Sequence, residues 1–169
     1  MKNDNKKTPI IRNLVLDNPG KMNYTLREVR HKETTKMYSI ALKSIERTYK
    51  NNGQHAEQIA RFTLTGEIVK ADNKPFTVGA DCLDIQIKSA RATICKGTDI
   101  EKHLRVDKAN RYGYVLKDFS TMYIMTKAEY YRFASLFSTK TRESEKNGGA
   151  EKLRFKDETA EMLKWLATM

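Results

Sequence analysis

Gly79-Ala80-Asp81-Cys82-Leu83-Asp84-Ile85-Gln86-Ile87-Lys88-Ser89-Ala90-Arg91 is the stretch on which the reading of this chain turns. Leu83, Ile85 and Ile87 alternate with Asp84, Gln86 and Lys88, and a period of two marks a strand with one apolar face. Side chains two apart point the same way, so Asp84, Gln86 and Lys88 share the opposite face. Asp81 reaches that face if the chain turns near Cys82 and Leu83. Phosphodiester hydrolysis needs oxygen ligands for a hard cation and a positive charge beside the attacking water. An aspartate, a carboxamide oxygen and a lysine on one face are those parts. A solvated sheet face would show the same alternation.

Upstream of this strand, Phe76 to Ala80 approaches another, Asn73-Lys74-Pro75 is a turn, and Glu67 to Ala71 reads as a strand. The spacing predicts a helix from Gln54 to Leu64 that buries Ala56, Ile59, Ala60 and Leu64, with Gly66 as its C-cap. Met37, Ala41, Ile45 and Tyr49 recur every four residues, which predicts another helix over 35–49, ended by Asn51-Asn52-Gly53. Residues 11–33 are mixed around the turn Asn18-Pro19-Gly20, and residues 1–10 form a flexible basic tail.

Downstream, Ala92 to Cys95 continues or pairs with the decisive strand, and Lys96-Gly97 closes it. Residues 98–110 read as a short helix or lid. Strands over 112–116 and 122–125 flank a turn at 117–120. Thr126 with Glu129 is a capping box, opening a helix that buries Tyr130, Phe133, Ala134 and Phe137. A polar stretch over 139–150 leads to a last helix from about Glu158 with Met162, Leu163 and Leu166 on one face. Helices followed by strands followed by helices imply one α/β domain over 11–169, a central mixed sheet flanked by helices.

The 169 residues leave room for one ordinary domain. Lys and Arg number 32 against 21 Asp and Glu, a net charge of +11 that suits a polyanionic partner. No apolar run is long enough to span a bilayer, and the polar N-terminus is no secretory signal. Cys82 and Cys95 are too few for a disulfide framework and lack metal-ligand spacing, which fits a cytoplasmic, reducing setting. His31, His55 and His103 do not cluster, so neither zinc nor a histidine-based triad is indicated, although His55 stands close to Glu57. Tyr112, Tyr114, Tyr123, Tyr130 and Tyr131 read as core-edge residues more than as base-stacking platforms.

An acidic residue followed by a strand reading x-(E/D/Q)-x-K resembles the PD-(D/E)xK nucleases, over roughly residues 53–95. The resemblance implies a restriction-endonuclease-like core and Mg²⁺- or Mn²⁺-dependent hydrolysis of double-stranded DNA. It makes Asp81 and Gln86 the metal ligands, Lys88 the residue that activates the water, and Glu57 an outer ligand on the preceding helix. Gln86 stands where most members carry Glu or Asp. The interval from Asp81 to Gln86 is short for a hairpin, which leaves Asp72 and Asp84 as alternatives for the aspartate. Cutting both strands with so small a domain implies a homodimer. A restriction-type role is the most natural in that family; a mobile-element or repair nuclease fits the same residues.

Arg91, Lys140, Arg142, Lys146, Asn147, Lys152 and Arg154 are the expected DNA contacts, since Arg and Asn read base edges and Gly148-Gly149 permits close approach. Two other classes stay open: a non-catalytic DNA-binding protein on the same fold, and a basic RNA-associated protein.

Overall fold

The computed structural model describes residues 27–30, 36–78 and 83–168. The expected tail, the turn at 18–20, Asp81 and Cys82 lie outside the described residues.

The strand that opened the sequence reading is β4, Leu83–Ser89, preceded by β3, Phe76–Val78. Upstream lie β1, Arg27–Arg30, β2, Lys36–Ala41, and helix α1, Asn52–Thr65. Downstream come β5, Thr93–Lys96, α2, Ile100–Val106, β6, Arg111–Val115, and β7, Thr121–Thr126. Helix α3, Lys127–Phe137, strands β8, Ser138–Arg142, and β9, Glu151–Phe155, and helix α4, Ala160–Thr168, complete the order.

Six strands form one sheet in the order β1-β2-β7-β6-β4-β3, and β5-β9-β8 form a second. Every pairing is antiparallel except that of β4 with β6. The large sheet is a layer covered on both sides. Ile85 and Ile87 face α1, joining Ala56, Ala60, Val115 and Met122 in one apolar cluster. Tyr112, Tyr114 and Met125 face the other way, into a cluster built with α2, α3, α4 and the small sheet. The mixed sheet with flanking helices is therefore as expected from the sequence.

Several elements differ. Residues 36–41 are a strand and not the start of a helix. Met37 enters one cluster and Ile40 the other, so a strand buried on both faces carries no alternation, and pairing with β7 outweighs the four-residue recurrence. Asn51-Asn52-Gly53 opens a helix where it was expected to end one. The Asn51 side chain accepts from the backbone N–H groups of Gly53 and Gln54 and caps α1. The expected strand at 67–71 is irregular, with Ile68 and Val69 exposed and no neighbouring strand to pair with.

β5 leaves β4 and pairs with β9, because a parallel β4–β6 pair needs a long crossover between them. The start of the polar stretch, Ser138–Arg142, is β8. Leu163 is exposed while Met162 and Leu166 are buried. Helix α1 ends at Gly66 in the left-handed conformation, and Thr126 and Glu129 form the capping box, both as read from the sequence.

The β4–β6 contact is close. Gly113 lies opposite Ile87, and a Cβ there would stand 2.7 Å from Met122 Sδ and 2.8 Å from Ile87 Cδ1. Gly113→Ala is expected to cost about 1–3 kcal/mol through this overpacking, measured by urea unfolding; an unchanged midpoint would show that both side chains swing away freely.

Candidate functional site

Only the first half of β4 is covered by β3. Beyond Ile85 that edge opens onto a cleft of about 700 Å³. Its walls are Lys50 to Gly53 at the start of α1, Asn73, the segment 86–93, and Arg154 from β9. Lys50, Lys88, Arg91 and Arg154 supply four cations, and no described residue of the lining carries a carboxylate. The N-terminal end of α1 adds the positive pole of its dipole.

Lys88 is the central group. Its Nζ donates to the carbonyl of Thr93 at 2.9 Å and makes no ion pair among the described residues. Burial holds its ammonium below the ordinary lysine range, although Asp107, Cys95 and Glu57 pull the other way. A buried cation without a carboxylate partner is costly to the fold. Gln86 lies beside it. Its Nε2 donates to the carbonyls of Asn73, at 3.4 Å, and Ile87, at 3.5 Å, while its carboxamide oxygen has no partner among the described residues.

Gln86 and Lys88 are thus brought into one cleft. Glu57 is turned elsewhere. Its two oxygens accept from the backbone N–H groups of Asp72, at 3.1 Å, and Asn73, at 3.0 Å, and Arg61 lies 3.0 Å away. Burial nevertheless raises its carboxyl above the ordinary value. The result braces the 71–75 loop against α1 and, through Asn73, against Gln86. Asp72 accepts from Arg61, at 2.6 Å, and from the N–H of Lys74. Asp84 accepts from the Thr77 hydroxyl at 2.7 Å. Neither aspartate lines the cleft.

Mg²⁺ requires several oxygen ligands. Among the described residues the cleft offers the Gln86 oxygen, and no group of three His, Cys, Asp or Glu side chains is placed to hold a metal. The described residues do not by themselves fit the ion; Asp81 is outside them.

Of the expected DNA contacts, Arg91 and Arg154 line the cleft. Arg91 sits in a turn closed by Ala92 N–H to Ser89 O, at φ +61°, a left-handed conformation uncommon for a non-glycine residue. It also reaches Asp157 at 2.5 Å. Lys140, Arg142, Lys146, Asn147 and Lys152 stand apart from the cleft. Arg142 donates to the Gly149 carbonyl, and Lys152 pairs with Glu143. His55 is buried against the Phe119 ring, 4.8 Å between centroids, outside the cleft. Tyr112, Tyr114 and Tyr130 are fully buried and cannot stack on bases. Cys95 is a buried free thiol.

Sequence reading missed Lys50, Asn52 and Thr93. Asn51 carried an N-cap signal that was open to the opposite interpretation; Ser89-Ala90-Arg91-Ala92 has no glycine, proline or asparagine to announce a turn. No protein-family model, curated protein or solved structure matches the chain, so the cleft is interpreted from its own geometry.

Two outcomes are expected. Glu57→Ala leaves two backbone donors and Arg61 unpaired, a loss of about 3 kcal/mol in chemical unfolding, whereas Glu57→Gln keeps an acceptor and folds; equal stability of all three forms would contradict the bracing role. Lys88→Met is expected to be at least as stable as the parent near neutral pH. The folded amine sheds its proton at a lower pH than the unfolded one, so between those two pKa values the parent gains stability as pH rises. The advantage of Lys88→Met should therefore shrink toward alkaline pH in thermal melts.

Proposed function

We propose that this protein binds DNA by seating its phosphodiester backbone in the β4–α1 cleft. The observation that carries the reading is the set of four cations around a cleft whose described lining has no carboxylate. A phosphate there would accept from Lys88, offsetting the cost of burying its charge, and from Arg154 and the asparagine amides beside α1. The net charge of +11 supports a polyanionic partner.

A second reading is favoured by a specific observation. The free oxygen of Gln86 and the amine of Lys88 open on the same cleft, as a restriction-endonuclease-like hydrolytic site would need. In this reading the bound DNA is cut with Mg²⁺ or Mn²⁺, Asp81 and Gln86 being the ligands, and two copies of the chain cut the two strands. The engagement of Glu57 by the 71–75 loop favours binding without cleavage.

Fluorescence anisotropy on a labelled duplex, in EDTA, tests the first reading. The parent should bind, and Lys88→Met should bind about 10- to 100-fold more weakly, the worth of one charge-assisted hydrogen bond. Equal affinities would remove the cleft from the interface. Supercoiled plasmid with Mg²⁺, Mn²⁺ or EDTA tests the second. Metal-dependent nicking by the parent, lost in Asp81→Asn and Lys88→Met, supports hydrolysis; intact plasmid under all conditions together with tight binding excludes it.

A further inference from the structure

We infer that the outer face of the small sheet is a second DNA-backbone contact, continuous with the cleft, so that one nucleic-acid strand runs from Lys88 across Arg154 to Lys156. This rests on the proposed reading of the cleft and extends it to a surface the cleft does not include.

The register of the sheet makes the argument. Across its three strands Thr93, Arg154 and Thr139 stand in one row, and Lys96, Lys152 and Thr141 in the next. Directly paired residues project to the same side of a sheet, and the two rows lie about 7 Å apart. Leu153 and Phe155, between and beyond those rows on β9, are buried on the opposite side. Hydroxyls and cations therefore alternate over a face with no apolar side chain of its own. Both kinds of group donate to phosphate oxygens.

A groove of about 440 Å³ runs over this face. Arg91 and Arg154 line both the groove and the cleft, which makes the two one path. The acids near it are already matched: Glu143 by Lys152, and Asp157 by Arg91 and by Lys117 at 3.2 Å. Lys96, Arg154 and Lys156 are exposed and make no ion pair among the described residues. The Thr141 hydroxyl is enclosed and has no hydrogen-bond partner, a donor left over in the wall of the groove. None of the large hydrophobic residues exposed among the described residues lies on this sheet. An anionic bilayer would want such anchors beside the cations; a nucleic-acid backbone does not.

The salt dependence of binding separates the two surfaces. Each lost phosphate contact lowers the slope of log K against log salt by about 0.9 on duplex DNA and about 0.7 on a single strand. The full-length parent, Lys88→Met, the sheet-face pair Lys96→Ala/Lys156→Ala, and a control pair of equal charge, Lys102→Ala/Lys164→Ala, would be titrated with both kinds of 24-mer. The expected result is a slope reduced by about two contacts in the sheet-face pair and nearly unchanged in the control. Which 24-mer shows the larger loss assigns the path to a single strand or to a duplex.

A sheet-face pair that binds like the parent while Lys88→Met is impaired overturns the second contact and leaves the cleft standing. Equal losses in the sheet-face and control pairs reduce the effect to net charge and also overturn it. Loss of binding confined to phosphatidylserine vesicles, with DNA affinity intact, overturns it in favour of a membrane surface. A parent without salt-dependent DNA binding removes the cleft reading itself.

Discussion

The parallel pairing of β4 with β6 is the constraint from which the rest of the arrangement follows. Parallel neighbours cannot be joined by a hairpin, so the chain must leave Ser89, cross a face of the sheet and return at Arg111. The crossover contains β5 and α2. β5 is the edge on which β9 and then β8 assemble, and the apolar sides of α2, α3 and α4 close over Tyr112 and Tyr114. The turn at 89–92 that begins this crossover also forms one wall of the cleft. A structural necessity and a candidate binding wall are the same segment.

Within that frame the energetics of the cleft run against stability. Ile85 and Ile87 are buried beneath α1 by ordinary apolar packing. The next residue on the other face is a lysine whose ammonium is withdrawn from water and offered one carbonyl oxygen. A methionine would fill comparable space at lower cost. Retaining a charge there is economical when an anion arrives to share it, and the surrounding Lys50, Arg91 and Arg154 make such an anion welcome. Glu57, the nearest carboxylate on α1, is held away from Lys88 by two backbone N–H groups and Arg61, so it does not quench the cleft.

The sequence was legible where local chemistry and tertiary context agreed. The alternation from Leu83 to Lys88, the Gly66 C-cap, the Thr126–Glu129 box and the buried face of α3 were all readable, because each depends on a few neighbouring residues. Residues 36–41 were not. Their two faces are both covered, and only the partner strand β7 distinguishes them from a helix. Asn51 failed for a related reason: asparagine satisfies free backbone groups at either end of a helix, and the choice depends on what packs next. For the site, Gln86, Lys88, Arg91 and Arg154 were visible as residue types on a strand or in a basic run. That Glu57 would serve the 71–75 loop was not visible, since its donors come from backbone 15 and 16 residues away.

The central claim is that Lys88 is a buried cation kept for an external phosphate. The most direct measurement is the titration of its ammonium by NMR on selectively labelled lysine, in the free protein and with a short duplex in EDTA. The account expects a Lys88 pKa below the ordinary lysine range when free, moving upward when DNA is bound. A value that does not move on binding, in a protein that demonstrably holds the duplex, would contradict it.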